Sequence, residues 1–209
     1  MRKVAILALA IALLAVVAGS AQASKPTKTK WTNVSANAFW YTTEWLSDTS
    51  YRSTVWYVGV YQSTEGTFSD LYFDSSICEV TTPPDDECTF ESSRYGFGDL
   101  AGQAFTIDAK NLESAHLDAV YDLQEYDADF NPIGDPVATH IVTDWTGLGS
   151  LSRDRSSYSV HTPCGVVRYS TKGVTNSAEA TGSLDGTDLG ETYDAYIASG
   201  TSRSFEPAC

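Results

Sequence analysis

The chain has 209 residues, with 27 Asp and Glu against 13 Lys and Arg, a net charge of −14 and 42% hydrophobic content. That describes one globular domain, or two small ones. Only 19% of residues are charged and 12% are aromatic, which rules out a disordered polyelectrolyte. The acidity argues against a nucleic-acid partner or docking to an anionic membrane, both of which demand a basic face.

In chain order, Arg2 and Lys3 precede an apolar stretch over 4–18, and Ala21-Gln22-Ala23 is a small-x-small cleavage pattern. The spacing predicts a secretory signal peptide over 1–23, cut before Ser24. An uncleaved anchor is the alternative, but the apolar run falls short of the ~20 residues that a membrane span needs. In an oxidising compartment four cysteines form two disulfides, with three possible connectivities. Cys78 and Cys88 bracket a turn-rich segment, Thr81-Thr82-Pro83-Pro84-Asp85-Asp86-Glu87. That leaves Cys164, beside Pro163 and Gly165, to pair with Cys209. No C-x-x-C pair exists and the three His are scattered, so a zinc site is not expected.

Residues 24–33, with Lys25, Pro26, Lys28 and Lys30, suggest a mobile basic linker, followed by a single domain over 34–209. From Val34 onward, β-branched and aromatic residues are broken by Gly, Asp, Asn and Ser every 8–12 residues or so, the texture of all-β domains. Strands are expected over Ser35 to Thr43, Ser53 to Glu65 and Ser69 to Val80. In the second, Trp56, Val58 and Val60 face one way and Val55, Tyr57 and Tyr61 the other, which suggests a central strand covered on both faces. Thr89 to Phe97 and Ala104 to Asp108 follow, then one helical turn at Asn111-Leu112-Glu113.

The clearest alternation is Ala115, Leu117, Ala119, Tyr121 and Leu123 against His116, Asp118, Val120, Asp122 and Gln124. After a hairpin loop over 127–135, Val137, Thr139, Ile141, Thr143 and Trp145 resume it. The apolar faces match only if Leu123 pairs with Val137, Ala119 with Ile141 and Ala115 with Trp145. That register sets His116 opposite Asp144. Further strands are expected near Leu151 to Val160, Val166 to Lys172, Ser177 to Leu184 and Tyr193 to Phe205. The fold expected is all-β, a single antiparallel sandwich or flattened barrel of about nine to eleven strands with two disulfides.

Sites are harder to read. Asp127, Asp129, Asn131 and Asp135 resemble the start of a calcium loop, but Pro132 stands where Gly is needed and Ala138 where a bidentate Glu should be. Asp, Asn and Pro also make ordinary turns. Asp85-Asp86-Glu87 reads as a solvated loop tip. There is no G-x-S-x-G elbow and, once the disulfides form, no free thiol. A glycosidase-like carboxylate pair would have to be drawn from acids that look evenly spread. No cofactor or metal is implied. The aromatics say more, since 12 of the chain's 25 fall between Trp31 and Phe73. Tyr41, Trp45 and Tyr51 sit among Thr, Ser and Asp and are candidates for an exposed binding platform, because flat amphipathic rings give contact area at low entropy cost. Core plus ordinary surface Tyr is the plainer alternative.

Asp144-Trp145-Thr146-Gly147-Leu148-Gly149-Ser150-Leu151-Ser152-Arg153, with Phe105-Thr106-Ile107-Asp108, Leu112 and Leu117 upstream and Ala178-Glu179-Ala180-Thr181-Gly182 downstream, resembles small secreted bacterial β-rich proteins of unknown function. Their signature is a W-T-G-x-G-x-L-x-R run followed by an A-x-A-x-G strand. The likeness covers the last half of the chain. It implies a bacterial exported β protein and carries no activity to transfer. The function expected is therefore a secreted, non-catalytic extracellular binding or cell-envelope-associated protein, its ligand a glycan or a protein. An extracellular hydrolase using a carboxylate pair is the alternative.

Overall fold

A computed structural model describes residues 25–80, 87–100 and 104–209. The expected signal peptide, and Asp85 and Asp86 of the acidic loop tip, lie outside the described residues. Ten strands form one antiparallel sheet: β1 Thr27–Trp45, β2 Ser50–Ser63, β3 Thr67–Glu79, β4 Glu87–Asp99, β5 Phe105–Ile107, β6 Ser114–Tyr126, β7 Pro132–Thr162, β8 Gly165–Leu184, β9 Thr187–Asp188 and β10 Thr192–Glu206. The order is β10-β1-β2-β3-β4-β6-β7-β8-β9, with β5 against β6. A further β10–β8 pairing closes that order into a ring, though not a clean barrel. Cys78 is bonded to Cys88 and Cys164 to Cys209, as the spacing suggests. Among the described residues no helix is long and apolar enough to cross a membrane.

Several boundaries differ from expectation. β1 already begins at Thr27, inside the basic segment expected to be a linker. β7 is one strand of 31 residues, running through both the alternation over 137–145 and the separate strand expected near Leu151 to Val160. Gly147 is there for room: a Cβ would collide with the Asn176 amide and the Leu112 carbonyl. Gly149 takes a φ of 79°, a left-handed kink that glycine tolerates without ending the strand. Likewise Val166 to Lys172 and Ser177 to Leu184 are parts of the single strand β8. The expected helical turn is a non-helical turn in which Leu112 has φ 58°. Its carbonyl accepts a hydrogen bond from Asn176 Nδ2 at 2.9 Å, and its side chain is buried.

The chain divides into two compact units. The larger comprises Trp31–Ser156 and Thr171–Ser202 and holds the apolar core. Alternation supplies that core: Ala36, Ala38 and Trp40 from β1, Val58 and Val60 from β2, Leu71 and Phe73 from β3, and Ala115 through Leu123 from β6. Burying a Leu or Val side chain fully contributes roughly 1.5–3 kcal/mol. Trp40 and Trp145 are the largest fully buried side chains, and Trp145 Nε1 donates to the Asn37 carbonyl at 2.9 Å. Ala178 and Ala180 are buried, and at Gly182 a Cβ would press on the Trp40 ring. The W-T-G and A-x-A-x-G runs thus serve packing. The β6–β7 register is the expected one, Leu123↔Val137, Ala119↔Ile141 and Ala115↔Trp145.

The smaller unit contains, among described residues, 25–30, Ser157–Ser170 and Arg203–Cys209. It carries the Cys164–Cys209 disulfide and a stacked Tyr158–Tyr169 pair, centroids 4.7 Å apart. Ser204 is its one buried residue among those described.

Candidate functional site: an aromatic row on the outer face

The same alternation that turns Trp40, Val58 and Leu71 inward turns their neighbours outward, and in the larger unit those neighbours are rings. Phe39 stands opposite Tyr57, Tyr57 opposite Tyr72, and Tyr72 opposite Tyr95. Centroid distances are 4.7, 4.8 and 5.8 Å, and Tyr126 on β6 meets Tyr95 edge-on at 5.9 Å. Five rings therefore cross five strands, β1, β2, β3, β4 and β6. Cross-strand ring pairs stabilise a sheet by about 0.2–1 kcal/mol each, and they also form a continuous surface. Tyr95 keeps 41% of its surface exposed, and the other four are half-buried.

Polar groups edge the row. Tyr57 Oη donates to Asn37 Oδ1 at 2.6 Å. Its ring lies over Gly59, where a Cβ would collide with the Tyr57 hydroxyl and with Asp70 Oδ1, so this position must be glycine. The Asp70 carboxylate keeps an exposed edge, yet partial burial among the surrounding groups raises its pKa above the usual carboxylate value, and burial does the same to Asp74. Tyr57, Tyr72 and Tyr196 are pushed above the ordinary phenol value, first by burial and then by nearby negative charge including Asp70. They stay protonated and remain hydrogen-bond donors. The arrangement thus offers flat ring faces, phenol hydroxyls and a carboxylate acceptor along one strip, with Asn37 buried behind it and holding the Tyr57 hydroxyl.

The residues singled out from sequence sit beside this row. Tyr41 and Trp45, 50% and 63% exposed, share the outer face of β1. Tyr51 is in register with Trp45, and their rings lie 5.3 Å apart, tilted by 55°. Trp45 and Tyr51 therefore meet, while Tyr41 stands four residues away and lines a concavity of about 470 Å³ with Phe39, Val55, Tyr193 and Asp194. Sequence reasoning missed Phe39, Tyr57, Tyr72, Tyr95 and Tyr126. The signal available was Tyr57 on the same face of β2 as Val55 and Tyr61. That face is not covered as expected: Val55 and Tyr57 are half-buried and Tyr61 is 44% exposed. Contact between neighbouring rings, not a second layer, shelters it.

Other candidates resolve into structure. Asp127 Oδ1 accepts hydrogen bonds from the backbone N–H of Asp129 and Asn131 at 2.9 and 2.8 Å, which holds its carboxyl below the usual range. That is a turn stabilised by its own side chain. His116 Nδ1 and Asp144 Oδ1 are 2.7 Å apart, in the expected cross-strand pair, and His140 makes a similar 2.7 Å contact with Asp118. Asp70 and Asp74 flank Tyr72 on one face of β3. Four residues of strand separate their backbones by about 13 Å, more than the roughly 5–9.5 Å between the carboxyl groups of glycosidase pairs. Among the described residues no group of three or more His, Cys, Asp or Glu could hold a metal ion.

Neither protein-family models, nor curated proteins, nor solved structures give a match to this chain.

Proposed function

We propose that this chain is an exported, non-catalytic binding protein that takes a saccharide along its outer aromatic row. The observation that carries this reading is the continuity of Phe39, Tyr57, Tyr72, Tyr95 and Tyr126 across five strands, edged by Asn37 and Asp70. Sugar rings present C–H faces that pack on aromatic faces and hydroxyls that need alternating donors and acceptors. A strip of rings with phenol and carboxylate groups between them supplies both. The rigid sheet beneath limits the ordering cost of binding.

The test is isothermal titration of the purified chain with neutral hexasaccharides, cellohexaose and chitohexaose. Binding should appear with at least one of them and weaken about tenfold or more in a Tyr72→Ala, Tyr95→Ala double variant, with an unchanged far-UV spectrum. No binding to either sugar, or full binding by the variant, overturns the proposal. The rival reading is a hydrolase with Asp70, its carboxyl raised by partial burial, as the acid, although Asp74 stands farther away than the second carboxyl of a glycosidase pair. Release of reducing ends by the wild type and its loss in Asp70→Asn would establish that rival instead.

A further inference from the structure

Charge is unevenly divided between the two units. The described part of the smaller unit holds Lys25, Lys28, Lys30, Arg168 and Arg203 against a single Glu206. The larger unit holds six Lys or Arg against 26 Asp or Glu. Four of the five cations, Lys28, Lys30, Arg168 and Arg203, line one cavity of about 600 Å³ inside the smaller unit. That volume is in the range of small-ligand sites. Among the described residues none of the four makes an ion pair, although Arg52 and Arg94 in the larger unit both do. Cations gathered without acidic partners repel one another, and in so acidic a protein partners are plentiful.

A second observation is independent of charge. Ser204 is 4% exposed, lines the same cavity, and its hydroxyl has no hydrogen-bond partner. A buried hydroxyl left unpaired costs on the order of 1–3 kcal/mol, a cost that a bound acceptor would remove. Beside it the Tyr158 and Tyr169 rings stack at 18°, with Tyr158 60% exposed. Ser157, Ser159, Ser170 and Thr29 add further hydroxyls to the wall.

From these features we infer that the cavity of the smaller unit binds an acidic saccharide, with its carboxylate or sulfate held by Arg168 and Arg203, supported by Lys28 and Lys30, and its ring packed on the tyrosines. Guanidinium groups suit planar, two-oxygen anions. A flat ring surface and a wall of hydroxyls suit a polyhydroxylated ring rather than a bare ion. A long polyanion such as nucleic acid is disfavoured by the net charge of −14 on the chain as a whole. The site is separate from the aromatic row and stands whether or not the row binds sugar.

The experiment is titration of the full mature chain at low and high salt with four probes: tetragalacturonate, the same tetrasaccharide reduced to its neutral form, a sulfated tetrasaccharide and inorganic sulfate. Tetragalacturonate, the sulfated sugar or both should bind, more weakly at high salt, with the stronger of the two identifying the anion. An Arg168→Gln, Arg203→Gln double variant should lose about tenfold or more, whereas Tyr72→Ala should bind the acidic probe as the wild type does. Folding of the double variant is checked by its melting temperature, and Ser204→Ala, which keeps every charge, should weaken binding to a lesser degree. Equal affinity for the neutral sugar, equal affinity for inorganic sulfate, or undiminished binding by a folded double variant would each overturn the inference.

Discussion

The two units are built on opposite principles. The larger is a cored structure: Trp40 and Trp145 are fully buried, the strands alternate cleanly, and its charge is overwhelmingly acidic. The smaller has only Ser204 buried among its described residues and relies on a disulfide and a tyrosine stack. A region this small cannot bury enough apolar surface to offset the entropy of ordering it, so a covalent tie takes over part of that role. Long strands pass through both units, and the same backbone can therefore be fixed by packing in one place and by a crosslink in another.

The largest expected effect is in the core. Trp145→Ala removes a fully buried ring and leaves the Asn37 carbonyl without its 2.9 Å donor. It should cost about 3–5 kcal/mol or more, read as a shift in the urea midpoint followed by tryptophan fluorescence. A change below 1 kcal/mol would break the picture of a unit held by packing. Next comes the tie. Replacing Cys164 and Cys209 with Ser should cost about 2–5 kcal/mol, but locally. Amide exchange should speed up over 157–170 and 203–209 while Leu117, Ile141 and Ile197 in the larger unit stay protected. Uniform loss of protection would mean that the two units share one cooperative fold.

What could be read from the sequence divides along the same line. The β6–β7 register was legible because one face of Ala115 to Leu123 is apolar and a one-residue slip would expose it. The disulfides were legible from spacing. The cationic cavity was not, since Lys28, Lys30, Arg168 and Arg203 come from three distant segments that only the β10–β8 and β10–β1 pairings bring together. The aromatic row lies between these cases. Trp45 and Tyr51 flank one tight hairpin and could be paired by eye, but linking Phe39 to Tyr126 needs the register of five strands at once. The 31-residue length of β7 was hidden around Gly147, whose role depends on Asn176 and Leu112 far away in the chain, and Gly149, whose φ of 79° the sequence does not announce.

A smaller effect sharpens the contrast in charge. Arg52 is held by Glu91 through two contacts of 2.8 and 3.0 Å and by Glu44 at 2.7 Å, and Ser75 Oγ also donates to Glu91 at 3.0 Å. The hydrogen bonds from Arg52, then that from Ser75, keep the Glu91 carboxyl below its usual 4.5. A depressed carboxyl contributes stability that is present above the unfolded value and is lost as pH falls through the folded one. Glu91→Gln should therefore lower the melting temperature at pH 7, by ~2–4 °C at most for a half-exposed pair, and the deficit should shrink below pH 4.5. A deficit that persists undiminished at pH 3 would show that the ion pair is not its source.

The smallest effect has the opposite sign. Partial burial raises the Asp70 carboxyl above 3.8, so in the folded chain the charged form is the disfavoured one. A raised carboxyl makes folding less favourable above its folded pKa, and that penalty disappears as pH drops below the unfolded value. Asp70→Asn keeps the shape and removes the charge, so it should raise the melting temperature slightly at pH 7 and leave it unchanged near pH 3. The gain is small because the carboxylate retains an exposed edge beside Tyr57 and Tyr72. Glu91→Gln and Asp70→Asn thus bracket the acid response of the larger unit from both sides, one variant less stable and one more stable at neutral pH, both converging on the wild type in acid. Neither substitution touches the smaller unit's own ionisable side chains, Glu206 and His161 among them, so its exchange protection over 157–170 should match the wild type's from pH 6 to pH 4 in both variants. If that protection falls in step with the larger unit, the two regions are coupled through their shared strands more tightly than their separate means of stabilisation imply.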